Sequence, residues 1–378
     1  SSIFSNVPHL RFPEFSGEWE EEQLDSIATL SKGIGISKEQ LSEDGEPCIL
    51  YGELYTKYKS EIIKQVESKT DIDCSKLKRS KANDVIIPCS GETAVDIATA
   101  RCVPFDNILL GGDLNIISLH KYDGAFMSYQ LNGKRKYDIA RVAQGVSVVH
   151  LYGEHLKAIK TYNPSLPEQQ KIAKLLSLID ERIATQNKII EKLESLIRGI
   201  YKTLLGESDQ YRYLDELCEI KKGVQVNKEE LSEKGLYYVM NGGITPSGYY
   251  DLYNTEANTI SISEGGNSCG YVQYNYTPFW SGGHCYTLEN ISDVVDDRYL
   301  FHYLKANELQ IMSLRIGSGL PNIQKKDLSA FRIPLPALNK QINIAKALDA
   351  LLYKITVDKN IYSTYKQQKE YLLQQMFI

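Results

Sequence analysis

Between residues 166 and 205 apolar side chains recur at alternating steps of three and four: Ile172, Leu175, Ile179, Ile183, Ile190, Leu193, Ile197, Ile200 and Leu204, with one longer step across Gln186. This is a heptad seam, and it predicts one long helix. Its other faces carry Lys174, Glu181, Lys188, Glu191, Lys192, Glu194 and Lys202 in mixed sign, as a solvated surface does. At roughly 40 residues the helix would reach about 60 Å, and it cannot bury its own stripe. The sequence supplies a partner. Ile172-Ala173-Lys174 recurs as Ile344-Ala345-Lys346, and at the same offset Leu176 meets Leu348, Ile179 meets Leu351, Ile183 meets Ile355, Ile189 meets Ile361 and Ile200 meets Leu372. Gln186 falls on Asp358. A polar pair in mid-seam fixes register in a coiled coil; the alternative is that both residues sit on a solvated edge.

A second repeat precedes each helix. The stretch from Trp19 and the stretch from Leu214 match at Leu24/Leu214, Asp25/Asp215, Lys32/Lys222, Gly33/Gly223, Lys38/Lys228, Glu39/Glu229, Leu41/Leu231, Ser42/Ser232 and Gly45/Gly235. Two segments repeating in the same order mark a tandem duplication, so the chain reads as globular, helix, globular, helix. The expected boundaries are 1–160 for the first globular domain, 161–207 for the first helix, 208–332 for the second domain and 333–378 for the second helix. Short β-rich runs such as 48–51, 84–88 and 116–119 are separated by Gly, Asn and Asp turns, which predicts mostly-β domains with a few helices. One helix is expected over 299–314 and its counterpart over 124–140. The fold class is therefore α+β: two similar domains separated by an antiparallel pair of long helices, with internal pseudo-two-fold symmetry. Each domain leaves through prolines, Pro164 and Pro167 in the first copy and Pro334 and Pro336 in the second, suited to stopping a strand and starting a helix. Between these anchors the copies diverge, so one architecture presents two different surfaces.

Composition narrows the class. Of 378 residues, 42% are hydrophobic and 24% charged, as in an ordinary soluble protein, and no apolar run approaches the length needed to span a bilayer. The chain opens with Ser-Ser-Ile-Phe rather than methionine, consistent with a processed or trimmed start. Seven scattered cysteines with no C-x-x-C pair suit a reducing, cytoplasmic setting. The net charge of −5 does not itself favour nucleic acid, although an average hides local patches. The 26 tyrosines suit contact surfaces or half-buried sheets.

No catalytic signature assembles. There is no phosphate-cradling G-x-x-x-x-G-K-[ST], Asn163-Pro164-Ser165 lacks the rest of an N-P-P-[FY] loop, and the histidines show no metal-ligand spacing. Features suited to nucleic acid are more numerous. Lys32-Gly33 and Lys222-Gly223 place cations beside glycines whose backbone N–H groups could approach a phosphate. Arg141 and Arg315 occupy equivalent places before the loops holding Gln144 and Ser147, and Ser318 and Asn322; such an arginine reads guanine, clamps phosphate or pairs with a surface carboxylate. Lys134, Arg135, Asn241, Asn267, Ser268, His284 and Lys325 complete the candidate set. An assembly scaffold whose domains bind protein, and an enzyme with an unrecognised site, are the alternatives of other classes.

These patterns resemble the specificity (S) subunit of type I restriction-modification systems over essentially the whole chain. The marks are Leu166-Pro167-Glu168-Gln169-Gln170 at the first helix entry, Leu335-Pro336 to Gln341-Ile342 at the second, the loops 143–147 and 317–323, and the 262–272 and 278–288 runs. The second entry departs from the pattern, with Asn339-Lys340-Gln341 in place of a Glu-Gln pair. The resemblance implies two target-recognition domains, each reading half of a split, asymmetric DNA site, and a helix pair that sets the spacing. Two methyltransferase (M) subunits would dock on the helices, near Ile189 and Leu196 or Tyr362, with restriction (R) subunits joining for cleavage. It also implies that S-adenosylmethionine, ATP and Mg belong to those partners, with no cofactor, metal or catalytic residue on this chain.

Overall fold

The structure, a computed structural model, describes residues 6–145, 148–205, 208–317 and 321–378, without the side chain of Leu204. The candidates Ser147 and Ser318 lie outside the described residues. The chain forms two compact units, Ser1–Asn187 with Asn360–Ile378, and Lys188–Lys359.

The first unit is built on four antiparallel strands: β1 (Ala28–Lys32), β2 (Asp84–Pro88), β3 (Arg101–Val103) and β4 (Leu114–Leu119), in the order β1-β4-β2-β3. All of β2 is buried. Its unbroken apolar run Val85-Ile86-Ile87 reflects burial on both faces, where alternation would mean a solvated side. Asp123 caps the following helix α1 (Gly124–Asn132) by accepting from the Phe126 N–H at 2.7 Å. The long helix α2 then runs from Leu166 to Leu204.

The second unit repeats this plan. Strands β5 (Glu219–Lys222), β6 (Thr259–Ser263), β7 (Val272–Asn275) and β8 (Cys285–Glu289) lie in the order β5-β8-β6-β7, the same topology strand for strand. Asp296 caps α3 (Asp297–Ala306) as Asp123 caps α1. The C-terminal helix α4 spans Leu338–Gln375. Each domain is closed beside its helix entry by a short antiparallel pair, Glu20–Gln23 with Lys160–Asn163 and Tyr211–Tyr213 with Arg332–Pro334. The helices expected over 124–140 and 299–314 are each two: Gly133 ends α1 before a second helix at Lys136–Val142, and Asn307 separates α3 from Glu308–Ser313.

The long helices pack antiparallel within each unit. In the first, Ile172, Ala173, Leu176 and Ile179 share a core with Leu372, Met376 and Phe377, to which Trp19, Phe126 and Tyr129 are added. In the second, Ile197 joins Ile344, Ala345, Leu348 and Ile355. Of the expected seam, Ile172, Ile179, Ile190, Ile197, Ile344, Leu348, Ile355 and Leu372 are buried; Leu175, Ile183, Leu193, Ile200 and Leu351 are half-buried. Gln186 and Asp358 are buried too, which removes the solvated-edge alternative. Lys354 donates to Asp358 at 2.8 Å, while the Gln186 Nε2 finds no acceptor among the described residues. Of the expected docking residues, Tyr362 is half-buried with Lys366 over its ring, and Ile189 and Leu196 are exposed.

The helix-entry motif is now physically intelligible. Gln169, 1% exposed, accepts from the Asp123 N–H at 2.9 Å and donates to the Pro164 carbonyl at 2.8 Å. Gln341, also 1% exposed, accepts from the Asp296 N–H at 2.9 Å and donates to the Pro336 carbonyl at 2.8 Å. One glutamine thus fastens each long helix to the capping residue of its domain. Replacing either with Leu strands a backbone donor and acceptor and is expected to cost about 2 kcal/mol in urea unfolding. Glu168 acts in the first copy alone: buried, it takes a bidentate pair from Arg11 at 2.7 and 2.8 Å and pins the N-terminal segment. The second copy has an exposed Lys340 there.

Candidate nucleic-acid interface

One end of each four-stranded sheet carries some of the candidate residues, Lys32 and Gly33 in the first unit and Lys222, Gly223 and His284 in the second, on a main-chain frame that is the same in both units. The Gly33 N–H donates to Leu114 and the Ile34 N–H to Leu110; in the second unit Gly223 donates to Cys285 and Val224 to Ser281. Gly111 donates to Ile49 as Gly282 does to Met240, and Cys89 donates to the Asp113 carbonyl as Glu264 does to that of His284. A Cβ on Gly33 would collide with the Gly111 carbonyl oxygen, and one on Gly223 with that of Gly282. The glycines therefore serve close backbone approach between strand and loop. Their N–H groups are already bonded inside the sheet, which corrects the expectation that they face a phosphate.

In the second unit this frame gathers a polar cluster around Glu264, whose side chain is 9% exposed. Lys222 Nζ lies 2.6 Å from Oε1, the Tyr286 hydroxyl donates to the same oxygen at 3.3 Å, and His284 Nδ1 stands 3.5 Å from Oε2. Burial and the neighbouring carboxylate push the Tyr286 phenol up to about 12, so it stays a donor. Asn241 Oδ1 accepts from the His284 N–H at 3.1 Å. Asn322 exchanges backbone hydrogen bonds with Ile316, and its side chain accepts from Gln324. Lys222, His284, Asn267, Arg315 and Lys325 are exposed, and Asn241, Ser268 and Asn322 are half-buried. Among the described residues the Arg315 guanidinium makes no hydrogen bond or ion pair, so a cation is free at this edge; Lys325 opens the short helix Lys325–Ser329.

The first unit builds different chemistry on the same frame. Lys32 Nζ sits 5.7 Å from the ring centroid of Tyr152, which stacks on His150 with centroids 6.2 Å apart. His150 exchanges backbone bonds with Gln144, as Asn322 does with Ile316, so His150 and Asn322 are equivalent, as are Cys89 and Glu264. Burial pushes the Cys89 thiol up to about 11, leaving it neutral where the second unit has a carboxylate. Asp113, exposed beside Gly112, borders an open groove of about 910 Å³ that Lys38, Tyr51 and Lys57 also line. His150, Tyr152 and Asp113 were not evident in the sequence as site residues. Matching the loops 111–113 and 282–284 would have pointed to Asp113.

The basic run 134–136 is divided. Lys134 is exposed, but Arg135 donates to the carbonyl of Ile378 at 2.9 Å, pairs with Asp138 at 3.2 Å and lies over Tyr162. It anchors the segment ending at Ile378 and is removed from the recognition set. Arg141, 77% exposed in its side chain, pairs with Asp138 at 2.9 Å, the surface-carboxylate alternative. Arg141→Ala is expected to change stability by less than about 0.5 kcal/mol in thermal unfolding.

Comparison with known proteins agrees with this duplicated frame. The family described as "Type I restriction modification DNA specificity domain" matches residues 16–195 and again 208–366. A putative type I specificity subunit of Mycoplasma pneumoniae is 38% identical over 144 residues, 38% of this chain and 38% of the relative. A putative type I specificity subunit of Mycoplasma genitalium is 36% identical over 139 residues, 36% of each chain. The matched stretches thus span little more than a third of those relatives. Among solved structures, the S subunit of a type I restriction-modification system from M. genitalium matches with a TM-score of 0.74 at 21% identity, covering 98% of this chain and 99% of that one; this likeness is one of fold. No helix among the described residues is long and apolar enough to cross a membrane.

Proposed function

Since the chain belongs to the type I restriction modification DNA specificity family, we propose that it is the DNA-reading subunit of such a system, each unit reading one half of a bipartite, asymmetric target. The observation that carries this reading is the repeated sheet-end frame with different side chains upon it: Lys32, His150 and Tyr152 in one unit, Lys222, His284 and Asn322 in the other. Lysines hold phosphates, and histidine, asparagine and tyrosine offer donors, acceptors and a stacking face to base edges. Unequal chemistry on equal frames suits an asymmetric site.

In this reading the chain has no catalytic residue. Two methyltransferase subunits dock on its helices, where Ile189 and Leu196 are exposed, and restriction subunits complete the cleaving complex. S-adenosylmethionine, ATP and Mg act on those partners, and the setting is the cytoplasm. The acidic chain leaves part of the phosphate-binding surface to the partners.

The test is selection from a random duplex library with the chain co-purified with its methyltransferase. Enrichment of two specified blocks separated by an unspecified gap is expected. Binding without any sequence enrichment refutes the reading; no binding at all, with the complex intact, favours an assembly scaffold.

A further inference from the structure

Asp113 and His284 occupy one position of the repeated frame. Each follows a pair of glycines, Gly111-Gly112 and Gly282-Gly283. The first glycine of each pair donates to the main chain of a neighbouring strand, at Ile49 and Met240. The carbonyls of Asp113 and His284 accept from the residue just past β2 or β6, Cys89 at 2.7 Å and Glu264 at 2.9 Å. Both backbones are thereby fixed from two sides, and both side chains are exposed. Asp113 keeps a left-handed φ of 57° although it is not glycine, a conformation that Asp tolerates better than most residues.

The two side chains share a property that their names conceal. An ionised aspartate only accepts hydrogen bonds. In a neutral histidine one ring nitrogen donates and the other accepts, and the partner of the inner nitrogen decides which. His284 Nδ1 faces the Glu264 carboxylate at 3.5 Å, an acceptor, and this neighbour favours the tautomer with the proton on Nδ1 and the outer Nε2 as the acceptor. Lys222 Nζ, 2.6 Å from Oε1 of the same carboxylate, and the Tyr286 hydroxyl, which donates to that oxygen, hold the Glu264 side chain in place beside the imidazole. The units therefore present, at one frame position, two chemically different acceptors.

We propose, resting on the DNA-reading role above, that Asp113 and His284 are the equivalent base-reading residues of the two units, each accepting from the exocyclic amino group of an adenine or cytosine in the major groove. At that base pair each rejects a thymine or guanine on the same strand, because those bases turn a carbonyl acceptor toward it. Glu264 is a positioning residue for His284. The first unit needs no such residue, because a carboxylate has no tautomer to fix, and the buried Cys89 takes the place of Glu264.

The experiment maps modification rates on the target and on all its single base-pair variants, with the chain in complex with its methyltransferase, at pH 8, above the ordinary titration range of histidine. His284→Ala is expected to relax amino-over-keto discrimination about tenfold at one base pair of one half-site. Asp113→Gly, which keeps the left-handed backbone, does the same in the other half. Asp113→Asn, which adds a donor, accepts either base class there, and His284→Lys reverses the preference in its half. Discrimination unchanged in both removal variants overturns the proposal, as does a uniform loss of rate on every sequence, the mark of a phosphate contact or a folding defect. If the unsubstituted complex has no bipartite target, it is the DNA-reading role that fails; a bipartite target indifferent to these substitutions refutes this assignment alone.

Discussion

Lys369→Met is expected to destabilise the protein by about 3–5 kcal/mol, the usual result of removing one partner from a buried ionic cluster. Lys369 of α4, with 14% of its side chain exposed, lies 2.5 Å from Glu61 and 2.7 Å from Asp180 of α2. Asp180 also accepts from the Tyr129 hydroxyl at 2.7 Å and Ser60 Oγ at 2.9 Å. One cation thus ties a loop of the first domain, its helix α1 and both long helices, and without it the two buried carboxylates lose their hydrogen-bonded cation and keep only the longer-range attraction of Arg101. Burial raises the pKa of Glu61, and the two carboxylates raise that of Lys369 against the opposing effect of burial. A raised pKa means that the folded state holds its proton more tightly, so stability falls as pH rises, for Glu61 from about 4.3 to its raised folded value and for Lys369 above about 10.4. In the variant Glu61 loses this cation and its proton is held more firmly still, so the deficit is larger at pH 8 than at pH 5. Urea unfolding at both values checks this; a loss below about 1 kcal/mol at pH 8, or one independent of pH, contradicts it. The second unit anchors its helix differently, through Asp349 with Arg298 at 3.0 Å and His302 at 2.8 Å, where burial lowers the histidine.

Gly33→Ala and Gly223→Ala carry the second large effect, expected at about 3 kcal/mol or more each, the upper end for overpacking where a backbone must move. The obstacles are the carbonyl oxygens of Gly111 and Gly282, which cannot rotate away as a flexible side chain would. Their loops carry Asp113 and His284, so each variant should also disturb a single half of the DNA target. Thermal unfolding and target mapping on the same preparations check both parts. A variant as stable as the parent would mean that strand and loop have room to separate.

The long helices and the duplication were legible in the sequence because both are written in local periodicity and in order. Heptad spacing exposed the seam from Ile172 to Ile200, and repeated triplets such as Ile344-Ala345-Lys346 located its partner. Gln169 and Gln341 stood out as a motif, but their bonds to Asp123 and Asp296 depend on segments about 45 residues away. The split at Asn307 is hidden because apolar residues return in step at Ile311 and Leu314, and the split at Gly133 because 124–140 is read only as the counterpart of 299–314. Arg135 looked like part of a basic patch; its acceptor, the Ile378 carbonyl, is 243 residues distant. The sheet-end frame was hidden for a related reason. Its equivalences lie in main-chain bonds; the glycine pairs 111–112 and 282–283 mark them in the sequence, but Cys89 and Glu264, or Asp113 and His284, do not resemble one another as letters.

Two units reading two halves of one DNA target is the central proposal. Long-read sequencing of methylated adenines, in cells carrying the methyltransferase with and without this chain, addresses that most directly. The expected result is modification that requires the chain and falls on one motif of two specified blocks parted by an unspecified gap. Modification at a single contiguous block, or a motif unchanged when the chain is absent, would contradict it.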